Sequence, residues 1–333
     1  MTIKASDFLS TGSTLLNLAC SDDPHSGFRK GMYYWLVGDS DSGKTFLSMT
    51  CLAEASISKA FNDYRFIYDG KERGALMNIA KFFGSAVDER LEMIASETVE
   101  EFYYNCFDAV KAGPCIYVLD SMDVLDSVQD VAKFEEKKKA HEKGKDTTGS
   151  YGMAKAKMNS ENVRKLMTPL QNTGSILIII SQTRDNVGFG FETKTVGGGR
   201  ALKFYATLQL WSAPVGRLQK TVRGKKRQLG VKIQVRVRKN RQTGKDRIVD
   251  MPIYHSFGID DVGSCVNYLV SEGEWSESKG VLNAVDFDLK GQREKIIKQI
   301  EEEDLVDDLR DIVAEVWDEI ESKCVLDRKR RYD

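Results

Sequence analysis

Gly38, Asp39, Ser40, Asp41, Ser42, Gly43, Lys44 and Thr45 are consecutive and fit the pattern G-x-x-x-x-G-K-[ST]. Each type has a task in holding phosphate. The glycines let backbone N–H groups curl around phosphate oxygens. Lys44 places a point charge on the outer phosphates, and Thr45 offers a hydroxyl to Mg²⁺. A helix starting there would point its positive end at the anion. A second half of the site is expected from Asp120, at the end of the run CIYVLD. A carboxylate at the carboxyl end of a buried strand can hold the water shell of Mg²⁺, although alone it could also cap the next helix. Glu72 and Gln182 each follow an apolar run and are candidates to orient water. The plainer readings are an exposed loop acid for Glu72 and a turn residue for Gln182.

These residues need strands and helices to place them. Residues 32–37 (MYYWLV), 65–68, 115–119 (CIYVL) and 176–180 (ILIII) read as short buried strands. Helical spacing is expected over 46–60, 75–83 and 99–112. Strands alternating with helices predict an α/β fold, a mostly parallel central sheet with helices on both faces. In such a sheet Gly38, Glu72, Asp120 and Gln182 open on one edge, where nucleotides bind. Beyond Arg200 the pattern becomes β-rich: 206–211, 231–237 and 248–254. The VKIQVRV alternation at 231–237 suits a strand with one wet, positive face. The division expected is a core over 1–271 and a small, acidic, helical segment over 272–333.

Two stretches interrupt this pattern. Residues 133–157 are charged and then glycine-bearing, and are expected to be a long loop between helical pieces. Residues 183–200 are rich in glycine and carry Phe189 and Phe191, flanked by Arg184, Lys194 and Arg200. Aromatic rings among cations on a glycine-rich loop are what single-stranded nucleic acid requires. The alternative is that the rings fold back onto the core.

Composition narrows the classes. Hydrophobic residues at 41% and charged residues at 30% allow a sizeable core in a soluble chain. The longest apolar runs are far too short to span a bilayer. The six cysteines form no C-x-x-C pair, and the three histidines are far apart, so disulfide, zinc and Ser-His-Asp chemistry are poor candidates. With no apolar signal core at the start, a reduced, cytoplasmic setting is expected. The net charge of −1 hides an asymmetry: 217–247 is dense in Lys and Arg with Asp246 as its only acid, and 294–321 is dense in Glu and Asp. The first could meet a polyanion, and the second could be a solvated face or a tail competing with that polyanion.

Several of these runs together resemble the RecA recombinase family. The segment at 10–19 (STGSTLLNLA) is similar to the one preceding that family's phosphate loop, and Leu119-Asp120-Ser121 to its acidic strand end. The most specific likeness is Ser181-Gln182-Thr183-Arg184 followed by GGGRALKFYA at 197–206. The brief start and divergent tail are closer in style to phage UvsX recombinases. The resemblance implies a RecA-like ATPase core that binds ATP and Mg²⁺ through Lys44, Thr45 and Asp120. It implies that Gln182 senses the γ-phosphate and that 183–200 is the main DNA loop, with Arg184, Gly198, Gly199 and Arg200 near phosphates and Phe191 inserted between bases. Tyr151 and Gly152 would lie in a second DNA loop, about 127–157. Lys239 and Arg241 would act on nucleotide across a subunit interface, in a filament or ring on single-stranded DNA, with duplex DNA engaged during pairing. The family's glutamate follows Asp-x-Glu, whereas this chain reads Asp69-Gly70-Lys71-Glu72, so Glu72 stands one place late. The activity implied is a DNA-dependent ATPase promoting strand exchange. The alternatives are an ATP-gated DNA-binding scaffold or a RecA-fold helicase without strand exchange.

Overall fold

The computed structural model describes residues 4–71, 78–142, 153–185 and 194–329. Its centre is a ten-stranded sheet. Across the sheet the strands run Gly258–Ile259, Arg247–Tyr254, Lys225–Asn240, Leu208–Val222, Tyr33–Gly38, Ile176–Asp185, Cys115–Asp120, Arg65–Gly70 and Leu91–Ile94, with Lys194–Val196 pairing to Ile176–Asp185. From Leu208–Val222 inward to Leu91–Ile94 all pairings along this path are parallel. The remaining strands are antiparallel. The chain is therefore α/β with a mostly parallel core and an antiparallel flank, as its strand and helix pattern implies.

Strands Tyr33–Gly38 and Cys115–Asp120 are buried at every position because both faces are covered, whereas the edge strand Leu91–Ile94 exposes Glu92 and Met93. Period-two alternation divides the parallel strands' side chains between two cores. Tyr34, Leu36, Phe66, Tyr68 and Ile178 pack on one face with Leu47 and Leu52. Tyr33, Trp35, Val37, Ile67 and Ile179 pack on the other with Phe102 and Leu166. Helix Lys44–Ile57 belongs to the first layer, and helices Val99–Ala112 and Met153–Thr173 to the second. Thr98 starts Val99–Ala112 by accepting from the Glu101 N–H, and Gly113 at φ +147° ends it.

The VKIQVRV strand alternates as expected: Ile233, Val235 and Val237 are buried while Lys232, Gln234 and Arg236 face outward. Its positive face is largely neutralised. Lys232 pairs with Asp250 at 2.7 Å, Arg236 grips Asp246 through two bonds of 2.8 Å, and Arg238 lies over the Trp211 ring. The acids sit on the neighbouring strand or beside it, which only sheet pairing could reveal. Six further cations, Arg217, Lys220, Arg223, Lys225, Lys226 and Arg227, lie on an exposed two-stranded ribbon that turns at Arg223-Gly224.

Three expectations need correction. Much of 133–157 is helix, in Val128–Glu142 and from Met153 onward. Charged residues suit an exposed helix face, and Val128–Glu142 buries none of its side chains. The stretch 183–200 is not loop throughout: strand Ile176–Asp185 runs on to Asp185, Lys194–Val196 returns beside it, and helix Arg200–Tyr205 starts at its end. The segment after 272 is not purely helical, since it holds a three-stranded sheet of Ser276–Ser278, Val281–Ala284 and Leu289–Gln292 before helices Arg293–Glu302 and Val306–Lys323. The last helix is tied to the core by Arg247, 7% exposed, whose guanidinium meets Glu321 at 2.9 Å and Asp22 at 2.5 Å.

Among the described residues no helix is long and apolar enough to cross a membrane. Cys20, Cys51, Cys106, Cys115 and Cys265 are buried free thiols, and Cys324 is exposed.

Candidate active site

Strand Tyr33–Gly38 ends at the first glycine of the phosphate loop, and helix Lys44–Ile57 starts at its lysine. Both glycines are required sterically. A Cβ on Gly38 would stand 2.3 Å from the Ser212 carbonyl oxygen, and Gly43 has φ +76° with Ile253 Cδ1 at 2.7 Å from where a Cβ would be. Lys44 Nζ donates to the carbonyls of Gly38 (2.9 Å) and Asp39 (2.6 Å) and to Ser42 Oγ (3.1 Å). Burial pushes its pKa down, and the carboxylates of Asp120 and Asp39 push back. Ser42 is itself held by Ser212 Oγ at 3.0 Å, from the next strand. A cleft of about 880 Å³ opens above the loop, lined by Ser40 to Phe46 on one side and by Pro214, Arg217, Gln228 and His255 on the other.

Asp120 closes its strand as expected and lies beside the loop. Thr45 Oγ1 and Tyr68 Oη both donate to its Oδ2, at 2.5 and 2.7 Å. A hydroxyl and a carboxylate in contact are a fitting pair for Mg²⁺, which prefers oxygen ligands, keeps much of its water and needs few protein groups. The glycine cradle, the buried lysine and this pair fit a nucleoside triphosphate with its metal. Lys44 would bind the outer phosphates, and Thr45 with Asp120 would hold the metal. Among the described residues there is no cluster of three or more His, Cys, Asp or Glu side chains able to hold a metal alone.

Gln182 sits beside Gly38 in the parallel register of their strands, and its N–H donates to Asp123 Oδ2 at 2.7 Å. Asp123 also faces the exposed Arg184 at 3.5 Å. From Gln182 the strand continues into the hairpin with Lys194–Val196. Beyond that hairpin Gly198 and Gly199 have φ of +92° and +88°. A Cβ on Gly199 would stand 2.9 Å from Ala156 Cβ, so this close approach to helix Met153–Thr173 requires glycine. The Gly198 carbonyl accepts from Asn159 Nδ2 at 2.8 Å, while Asn159 Oδ1 accepts from Tyr103 Oη at 2.9 Å. Arg200 opens the next helix, exposed.

Lys239 and Arg241 are not at this edge. Lys239 pairs with Gln209, Asn240 with Leu208, and Leu208 with Tyr34, which lies four residues before Gly38. At about 3.3 Å per residue that is roughly 13 Å down the sheet, on the opposite edge from the phosphate loop. There Lys239 Nζ donates to the carbonyls of Lys203 (2.6 Å) and Phe204 (2.8 Å), and Arg241 lies over the Phe204 ring. Partial burial, with Arg241 and Lys203 nearby, lowers the Lys239 pKa to about 8. Glu72, Tyr151, Gly152, Phe189 and Phe191 lie outside the described residues.

The partners of several site residues carry no signal in the sequence. Asp69, the acid of the expected Asp-x-Glu pattern, is buried and accepts from Ser96 N–H (2.8 Å), Ser96 Oγ (2.6 Å) and Tyr117 Oη (2.7 Å). It braces the sheet edge. Tyr68 and Ser212 read as strand residues, and only strand pairing shows that they hold Asp120 and Ser42. Asp123 follows Asp120 closely, which is the single hint the sequence contains.

The model of the RecA N-terminal domain matches residues 2–260. Among curated proteins, Protein RecA of one Thermus thermophilus strain is 26% identical over 319 residues, covering 94% of this chain and 86% of that protein. Protein RecA of Cytophaga hutchinsonii is 26% identical over 268 residues, covering 80% and 69%. Protein RecA of Lactococcus lactis subsp. cremoris is 29% identical over 266 residues, covering 80% and 64%. With a phosphate loop at a parallel sheet edge and a family model matching most of its length, the chain belongs to the RecA family.

Proposed function

We propose that this chain is a DNA-dependent ATPase that coats single-stranded DNA and promotes homologous pairing and strand exchange, acting in the cytoplasm. Bound MgATP supplies the free energy of γ-phosphate hydrolysis. The chain's own residues do the rest. Lys44 and the loop amides bind the phosphates, Thr45 and Asp120 orient the metal, and Glu72 orients the attacking water. Asp69 is ruled out for that last task, since its carboxylate already accepts three hydrogen bonds from Ser96 and Tyr117.

The observation that carries the reading is the register of Gly38 beside Gln182. It puts the first residue of the phosphate loop next to the residue that leads into the DNA hairpin. Nucleotide occupancy and the arrangement of Arg184, Gly198, Gly199 and Arg200 are thereby linked through one short strand end. Tyr151, Gly152, Phe189 and Phe191 complete the DNA contacts in this reading. The position of Lys239 and Arg241, on the far edge of the sheet, supports head-to-tail self-association, because from there they can serve only the nucleotide of a neighbouring copy. Such pairing buries nucleotide between subunits and makes assembly depend on it.

The test is ATP hydrolysis with and without single-stranded DNA, on wild type and Glu72→Ala side by side. Strong stimulation by DNA, lost in the variant, is expected. Negligible hydrolysis by both proteins would overturn the ATPase reading and leave an ATP-gated DNA-binding scaffold.

A further inference from the structure

The side chain of Asp39 is held by two partners from outside the phosphate loop. Its Oδ1 accepts from Thr183 Oγ1 and its Oδ2 from Lys194 Nζ. Thr183 and Lys194 lie on the two opposite arms of one hairpin, in which Thr183 pairs with Val196 and Asp185 with Lys194. A single carboxylate of the phosphate loop thus holds both arms of the element that leads toward DNA. The backbone of the same residue belongs to the nucleotide cradle, for its carbonyl accepts from Lys44 Nζ at 2.6 Å and Ser42 Oγ at 2.7 Å.

We propose that Asp39 is a positioning residue that latches the paired strand segments 183–185 and 194–196 to the phosphate loop and releases them when a nucleoside triphosphate is bound. Two physical consequences of a phosphate in the cradle drive the release. Lys44, drawn to the outer phosphates, gives up its bond to the Asp39 carbonyl and with it the support for that peptide. The phosphate charge also repels the Asp39 carboxylate and competes with it for Lys194, whose ammonium has no preference between carboxylate and phosphate oxygens beyond their charge and distance. The Thr183 hydroxyl then loses its acceptor as Asp39 moves. A conformational change caused by a ligand requires contacts that differ between the two states, and this triad supplies them. The inference rests on the proposed nucleotide-dependent DNA binding and adds the residue that transmits it.

The test uses Asp39→Asn, which keeps an acceptor and removes the charge, with Asp108→Asn, outside the phosphate loop, as a charge-matched comparison. Asp108 is exposed on helix Val99–Ala112. Hydrogen exchange of the amides at 183–185 and 194–196 is measured without nucleotide or DNA. Fluorescence anisotropy then gives the affinity for a labelled single-stranded oligonucleotide, with and without a non-hydrolysable ATP analogue. Asp39→Asn is expected to speed hairpin exchange about tenfold and to raise nucleotide-free DNA affinity, shrinking the ratio between the two nucleotide states, whereas Asp108→Asn leaves exchange unchanged. Equal exchange in all three proteins, or an equal shift of the nucleotide ratio in both variants, overturns the latch. Should Asp39→Asn not fold, Thr183→Val removes one arm of the triad without touching the phosphate loop and must move exchange in the same direction. If wild type binds no single-stranded DNA, the functional reading fails, and the exchange measurement still decides the latch.

Discussion

Asn159 is fully buried, and its two amide atoms join three elements. Its Nδ2 holds the Gly198 carbonyl at 2.8 Å and its Oδ1 receives the Tyr103 hydroxyl at 2.9 Å. Asn159→Ala removes both. The Tyr103 hydroxyl, on a side chain only 3% exposed, loses its acceptor without gaining water. A buried polar group left unpaired costs about 1–3 kcal/mol. Gly198 is half-buried, so its carbonyl recovers part of its loss from solvent. The truncated side chain leaves a small void besides. The expected destabilisation is about 2–4 kcal/mol. Urea unfolding measures it, and a double-mutant cycle with Tyr103→Phe isolates the orphaned hydroxyl. In the Tyr103→Phe background the cost of Asn159→Ala should fall by about 1 kcal/mol or more, because no hydroxyl remains to be stranded. Single-stranded DNA binding should weaken in Asn159→Ala, since Gly198 leads directly into the arm that carries Arg200. A loss below about 0.5 kcal/mol, or strict additivity in the cycle, would refute the reasoning that this amide is the joint between helix Met153–Thr173 and the Gly198 turn.

Four further outcomes follow from the geometry. Lys44→Ala should abolish nucleotide-dependent DNA binding, and unchanged dependence in a filter-binding assay would remove the phosphate loop from the account. Asp120→Asn should weaken Mg²⁺-dependent nucleotide binding on the order of tenfold, read by titrating Mg²⁺ against a fluorescent ATP analogue. Lys239 has its pKa lowered to about 8, so its charge is lost as pH rises through that value; nucleotide-driven self-association should decline there, and Lys239→Arg should abolish the decline in light scattering. For stability the sign is opposite. A lysine whose folded pKa lies below its unfolded value opposes folding less as pH rises from about 8 toward the ordinary lysine range near 10.4. Arg247→Ala should destabilise by about 1–3 kcal/mol in thermal or urea unfolding, because the Leu18 carbonyl loses its donor and Asp22 and Glu321 keep only the more exposed Lys245 between them.

How much can be read from the chain alone depends on whether a feature is local. The phosphate loop is legible because each of its functions is carried by residue types at fixed spacing: two glycines where a Cβ would strike Ser212 or Ile253, a lysine, and a hydroxyl. The inner parallel strands are legible because strands covered on both faces read as nearly continuous apolar runs. The helical nature of 133–142 is hidden because an exposed helix without a buried stripe has no apolar period to detect. The acidic tail conceals a small sheet for a related reason, since Ser276–Ser278 and Leu289–Gln292 are mostly polar strands.

By itself the sequence determined the chemistry available at one sheet edge: Lys44, Thr45, Asp120 and Gln182 each close or follow a recognisable run. Tertiary structure decided which partners those groups have. Asp69 is spent on Ser96 and Tyr117, the basic strand face is neutralised by Asp246 and Asp250, and Asp39 reaches Thr183 and Lys194, 144 and 155 residues away. It also set Lys239 and Arg241 on the edge away from the phosphate loop. The physical reason is common to all of these. Spacing along a chain fixes what a loop or a strand can do, but a hydrogen bond or an ion pair depends on distance in space, and only strand order and register set that distance.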